Sequence, residues 1–370
     1  MKSPRTTAQD EVQRLLDNAV SDGSESAVQA AAYLDGKLIV DAWAAPGEMP
    51  VDGRSLFPFF STGKGIAATA IHRLVERGVL SWDDPIARYW PEFAAKGKGG
   101  IRLRHALNHT AGLPMMPESL EAAGRGEWDA MCAFLADSEP LHPPGAHRHY
   151  HAITYSWLIG ETARRADGRD FGRIIAEEVC RPLGIDTLFF GMSPSMRPKC
   201  LDAEKALPPP PAPAPAAEPP PPQDPVAQRA IPSWLCPLED WINRDDVRRA
   251  CIPASNGFGN ARALARHYAA LIGRGVDSVR LLTDATVAAA THWDPIAEAA
   301  VPGNGRWGMG YALMGPDDAP GAEFGHGGYG GSIGFADVRR GLAVGIVKTR
   351  MGGPLTDLLV ATIRRCAGKA

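Results

Sequence analysis

The 370-residue sequence predicts a two-part α/β (α+β) fold, in which an antiparallel sheet is flanked by helices, a mostly helical region lies over it, and a cleft runs between the two. Three observations predict this. Short strand-like runs stand near both ends of the chain. The middle, from about residue 86 to 254, reads as helices and loops. The length suffices for two subdomains sharing an interface. The expected division is therefore 1–85 together with 255–370 for the sheet region, and 86–254 for the helical region.

The elements follow in order. Residues 1–23 form a polar amphipathic helix with Val12, Leu15, Leu16 and Val20 on one side, and they carry no apolar h-region or cleavage signature. AVQAAAYLDGKLIVDAWAA reads as a hairpin turning at Asp35-Gly36, a dipeptide suited to positive φ. GKGIAATAIHRLVERG then gives a helix with a stripe of Ile66, Ala70, Ile71, Leu74 and Val75, stopped by Gly78. WDAMCAFLADS and YSWLIGETARRADG are helical, whereas PPPPAPAPAAEPPPPQDP at 208–225 is expected to be an extended, polyproline-like loop insertion. Asn260 is the expected N-cap of a helix through ARALARHYAALIGRG. GMGYALM, SIGFADVRR and LAVGIVKTR read as short strands, and PLTDLLVATIRRCAG closes the chain as a helix. Strands from both ends then build one sheet.

Bulk chemistry removes several classes of function. With 39 basic against 42 acidic residues the formal charge is -3, which asks for neither nucleic acid nor an anionic membrane. No stretch reaches the ~20 apolar residues of a membrane span. The six cysteines are scattered without a C-x-x-C pair, as inert thiols in a reducing compartment would be. A cytoplasmic protein is expected, and its oligomeric state stays open.

The chemistry is concentrated in three stretches. In FPFFSTGK an apolar run leads into Ser61 and, three residues later, Lys64. On a helix, positions i and i+3 share a face, so the amine can reach the hydroxyl. An isolated Ser-x-x-Lys is common by chance and is then only a cap and a surface amine. The second stretch is PPGAHRHYHAITYSWLIGE, with Tyr150 in a loop entering a helix near Ile153. The third is FGHGGYGGSIGF, with His326, Gly327 and Gly328 on what reads as an edge strand, where glycines admit a ligand against the backbone.

Together with LFPFFSTGKGIAATAIHRLVERGVLSWDDPIARYWPEF and IRLRHALNHTAGLP, these stretches resemble the serine β-lactamase and penicillin-binding superfamily over nearly the whole chain. Within it, they resemble the class-C-like family VIII carboxylesterases and related transacylases. The resemblance implies the β-lactamase-like fold, with Ser61 as nucleophile, Lys64 as its partner in proton handling and Tyr150 as a second base. It implies an oxyanion hole from the backbone N–H groups of Ser61 and Tyr329, after His326-Gly327-Gly328, and no metal or other cofactor. Burial is expected to lower the lysine pKa and a neighbouring ammonium the tyrosine pKa.

Two departures stand out. Ala152 occupies the place of an asparagine that would bind a lactam amide, and His326-Gly327-Gly328 replaces Lys-Thr-Gly, removing a permanent positive charge. Both point from anionic lactams toward neutral small-molecule acyl esters or acyl carriers, with Arg148 and Arg306 as the candidate substitutes for the missing charge. The expected function is hydrolysis of small carboxylic esters through an acyl-serine. The alternatives are a biosynthetic transacylase delivering the acyl group to an amine or alcohol, a β-lactamase or D-amino-acid peptidase, and a non-catalytic binding protein of the same fold. His142, His147, His149 and His151 crowd one loop without a carboxylate or cysteine partner, so no metal is expected there. Asp83, Asp84 and Pro85 are read as a structural turn, and His109 and Thr110 as hydrogen-bond formers that fix a loop.

Overall fold

The computed structural model describes residues 7–47, 49–119, 127–208, 225–295 and 305–368. Residues 209–224 of the proline-rich stretch lie outside the described residues. The strands are β1 (Val28–Leu34), β2 (Lys37–Ala44), β3 (Phe57–Pro58), β4 (Leu188–Phe189), β5 (Phe258–Gly259), β6 (Arg306–Trp307), β7 (Ala312–Leu313), β8 (Glu323–Gly327), β9 (Ile333–Asp337) and β10 (Leu342–Lys348). The α-helices of the first half are α1 (Ala8–Ser21), α2 (Gly63–Glu76), α3 (Leu103–Leu107), α4 (Trp128–Asp137), α5 (Tyr155–Asp167) and α6 (Phe171–Ile175). Those of the second half are α7 (Pro225–Ala230), α8 (Leu238–Ile242), α9 (Asp245–Arg249), α10 (Ala261–Ala269), α11 (Asp284–Ala290) and α12 (Leu355–Ala367).

Strands from the two ends of the chain do meet in one antiparallel sheet. Its order is β2-β1-β10-β9-β8-β7-β6, and β1 pairs with β10 from Val28 opposite Lys348 to Leu34 opposite Leu342. The two-residue side-chain period of a strand divides these strands between two cores. Val28, Ala30, Val344 and Ile346 pack with Val12 and Leu16 of α1 and Leu359 and Ile363 of α12. Ala31, Tyr33, Ala343 and Val347 join the other core, with Leu264 of α10. A sheet covered on both faces needs apolar residues at every position, which is why LAVGIVK runs without polar alternation.

Local signals account for the ends of these elements. Thr7 and Asp10 form a reciprocal capping box at α1. Asp35 and Gly36 adopt φ of 48° and 77°, the conformation that closes a two-residue hairpin with the right twist. The Asn260 side chain accepts from the Ala263 N–H at 2.8 Å, capping α10, which ends at Ala269, well short of the sequence expectation. Helix α5 begins at Tyr155, two residues later than expected, because Ile153 and Thr154 lie in a turn.

A second sheet, β3-β5-β4, was not anticipated, since its two-residue strands carry no measurable periodicity. It explains the aromatic run before Ser61. Phe57, Phe59 and Phe60 are all buried, and the Phe59 N–H donates to the Gly257 carbonyl at 3.0 Å, so the run anchors the serine turn in the core.

A buried ion pair stands at the end of β10. Lys348 Nζ contacts Glu25 Oε1 and donates to the Gly352 carbonyl, with side-chain exposures of 1% and 2% for Lys348 and Glu25. The Gly352 N–H donates to the Gly330 carbonyl at 3.0 Å, and Thr356 Oγ1 to the Gly331 carbonyl at 2.7 Å, so this pair backs the Tyr329–Gly331 turn. Burial pushes the Glu25 carboxyl upward. Replacing only Lys348 with methionine strands a buried carboxylate and is expected to cost about 3–5 kcal/mol. Replacing both partners with methionine should recover most of that loss, as measured by urea denaturation. Equal losses in the single and double variants would show that the charges themselves are not what matters.

Candidate active site

Ser61 lies in a tight turn, Phe60–Thr62, that runs directly into α2. Phe60 holds φ at +46°, a left-handed conformation costly for an aromatic residue and sustained here by its buried side chain. One helical turn later, Lys64 Nζ stands 3.0 Å from Ser61 Oγ and donates to the carbonyls of Ala152 and Ala254, each at 2.7 Å. The lysine is fully buried, and desolvation pushes its amine well below the usual value. A neutral amine has two N–H groups and one lone pair. The two carbonyls occupy the N–H groups, which leaves the lone pair for the Ser61 hydroxyl.

Tyr150 reaches the same serine from the loop before α5, and its hydroxyl is hydrogen-bonded to Ser61. Lys64 Nζ sits 4.8 Å from the centre of the Tyr150 ring. Here the structure reverses an expectation: the phenol is pushed above its usual value, not below. Burial dominates and outweighs the hydrogen bond with Ser61, which draws the phenol the other way. Tyr150 is thus a neutral phenol that can donate.

The third element is the end of β8. β8 is flanked by β7 and β9, so it is not an edge strand of the sheet. Its pairing with β7 covers only Phe324 and Gly325, however, which leaves His326 and Gly327 without a β7 partner on that side. Gly328 then runs against the serine turn. A Cβ there would stand 2.3 Å from the Phe59 carbonyl oxygen and 2.2 Å from Ser332 Oγ, so only glycine fits. Ser332 Oγ donates to the Phe59 carbonyl at 2.9 Å and lies 3.2 Å from Thr62 Oγ1, fastening the two segments together. Tyr329 consequently sits beside Phe60, ring centres 5.5 Å apart. The N–H groups of Ser61 and Tyr329 each stand in the first turn of a helical segment, where backbone donors lack internal partners. Among the described residues neither donates to another protein group.

His326 faces this space as a neutral ring. It is buried, its Nδ1 lies 2.6 Å from the Gly327 carbonyl, and desolvation pushes it down to about 3. The expected substitutes for a lactamase lysine are engaged elsewhere. Arg306 pairs with Asp317 at 2.9 Å, and buried Arg148 donates to the carbonyls of Asn108 and Asp294 at 3.2 and 3.4 Å. Ala152 contributes its backbone carbonyl to Lys64, so it belongs to the site through its main chain.

The histidine loop holds no three-ligand metal cluster among the described residues. His151 is saturated: Nε2 accepts from the Leu113 N–H at 3.0 Å and Nδ1 pairs with the His149 carbonyl at 2.7 Å. Asp83 forms ion pairs with Arg102 and Arg104, in keeping with a structural turn.

Three participants escaped sequence reasoning. Trp307 lies between His109, Tyr150 and His326, with ring centres at 4.6, 5.5 and 5.2 Å. Ser332 and the Ala254 carbonyl are the others. None carries a local signal, because each acts through tertiary proximity.

The family model for beta-lactamase matches residues 12–369. The chain belongs to that family. Within the β-lactamase family it is similar to the esterase/beta-lactamase LipL of Mycobacterium tuberculosis, at 33% identity over 88% of this chain and 77% of the relative. Among solved structures, a penicillin-binding protein homologue from Caulobacter crescentus superposes with a TM-score of 0.82 at 31% identity, covering 97% of each chain. A family VIII carboxylesterase gives 0.85 at 28% identity over 98% of each. The β-lactamase-like fold expected from the sequence is therefore the fold observed. No helix of the described residues is long and apolar enough to cross a membrane.

Proposed function

We propose that this β-lactamase-family chain hydrolyses small neutral carboxylic esters through an acyl-Ser61 intermediate. The observation that carries the reading is Lys64, fully desolvated, with both N–H groups taken by carbonyls and Ser61 Oγ at 3.0 Å. Ser61 Oγ attacks the ester carbonyl carbon as its proton passes to Lys64 Nζ. The carbonyl oxygen becomes an oxyanion that accepts from the N–H groups of Ser61 and Tyr329. As the tetrahedral species collapses, the C–O bond to the leaving group breaks. The alkoxide takes a proton from the Tyr150 hydroxyl, which is refilled from Lys64. Water then attacks the acyl-serine by the same path in reverse, giving one carboxylic acid and one alcohol per water consumed. Tyr150 and Lys64 act as one relay.

The neutral His326 favours esters over anionic lactams, which would find no fixed charge at that position. A charge-assisted hydrogen bond is worth about 1.5–3 kcal/mol, roughly tenfold to a hundredfold in specificity. p-Nitrophenyl butyrate is expected to exceed nitrocefin in kcat/KM by at least that margin at pH 7. Equal or better values for nitrocefin would sink the ester reading. Delivery to an amine or alcohol in place of water shares the first half-reaction, and adding such acceptors to the same assay separates the two.

A further inference from the structure

His109 touches the loop of Tyr150 at three points. Its carbonyl accepts from the His149 N–H at 3.1 Å, its Nδ1 accepts from the His151 N–H at 3.2 Å, and its ring lies 4.9 Å from the Tyr150 ring. The two amides belong to the residues immediately before and after Tyr150. A single residue thus holds both peptide neighbours of the tyrosine and packs against its ring.

This grip needs an unusual backbone. His109 has φ of +66°, a left-handed conformation uncommon outside glycine, asparagine, aspartate and histidine, and one that persists only where surroundings enforce it. The residue is 1% exposed, and its ring is enclosed by Tyr150, Tyr155, His151 and Trp307, with centres at 4.9, 5.3, 5.7 and 4.6 Å. Because Nδ1 accepts, the ring proton resides on Nε2. A protonated ring would lose the acceptor, and burial keeps the imidazole well below its ordinary value.

We propose that His109 is the positioning residue for Tyr150, fixing the phenol against Ser61 through the imidazole Nδ1 acceptor and the packing of the two rings. The inference rests on the acyl-Ser61 reading. A displacement of a relay group by about 1 Å can cost on the order of 10²-fold in rate, so the effect should fall on kcat with KM little changed.

Two variants separate the imidazole from the backbone turn. His109→Gly permits φ of +66° and keeps the carbonyl bond but removes acceptor and ring. His109→Asn also tolerates that conformation and places Oδ1 where Nδ1 stood, restoring the acceptor. With p-nitrophenyl butyrate and the acyl adduct followed by mass spectrometry, His109→Gly is expected to lower kcat by about 10²-fold. His109→Asn should recover much of that loss. In a Tyr150→Phe background, His109→Gly should cost little more, because the group it positions is already gone. The role is overturned if folded His109→Gly acylates at the wild-type rate, or if its loss is undiminished in the Tyr150→Phe background. Should His109→Gly fail to fold, the same comparison is made with His109→Asn, and a kcat loss in that variant larger than any in Tyr150→Phe also overturns the role. A wild type that forms no adduct at Ser61 sinks the acyl-serine reading and this role with it.

Discussion

Ser61→Ala is expected to abolish the covalent acyl adduct and to lower ester turnover by about 10⁶-fold, the scale associated with removing a serine nucleophile from an acyl-enzyme site. The turn that carries the serine is held by groups other than its hydroxyl: the buried phenylalanines, the Phe59 N–H bond to Gly257 and the Ser332 bond to the Phe59 carbonyl. Thermal unfolding of Ser61→Ala should therefore stay close to wild type. Mass spectrometry after incubation with p-nitrophenyl butyrate is the direct check. An adduct forming on the variant at the wild-type rate would remove Ser61 from the nucleophile role.

Lys64→Met is expected to lower turnover by about 10²–10⁴-fold, the usual range for a general base. In wild type, the acid limb of the pH–rate profile reports protonation of the amine. Since burial holds that amine well below the usual lysine value, the acid limb should lie well below the range in which a free lysine titrates. The stability consequence has a definite sign. Between the folded and unfolded lysine pKa values the unfolded chain binds the extra proton, so the stability of wild type relative to Lys64→Met should rise with pH through that window and level off above 10.5. Paired thermal melts across pH test this. A flat difference would mean that Lys64 is charged in the folded protein, and the lone-pair argument for its role would fail.

The two predictions bear unequally on what could be read from the chain. The Ser61–Lys64 pair was legible because helical spacing alone puts i and i+3 on one face, and the sheet shared by both termini was legible from apolar strand runs at each end. His326-Gly327-Gly328 reads from its glycines as an edge strand, whereas the fold places His326 and Gly327 on β8, between β7 and β9. β7 is two residues long and stops before His326, and no periodicity reveals where so short a strand ends. The β3-β5-β4 sheet escaped for the same reason.

Charge states depended on the fold to an even greater degree. A sequence names the titratable groups but not their solvation, so a positive lysine lowering its tyrosine was a reasonable expectation from residue types. Only the folded arrangement desolvates both and drives their pKa values apart. The sequence by itself determined the family, the sheet and helix content, and the serine–lysine pair, because these rest on local periodicity and on ordered motifs. Tertiary structure alone decided that Ala152 and Ala254 hold the lysine by their carbonyls, that the loop His109 fixes is the one carrying Tyr150, and that Trp307 lines the site. Those contacts join segments about 40 to 190 positions apart through main-chain atoms or ring faces, and main-chain atoms are the same in every residue, so no sequence pattern marks them.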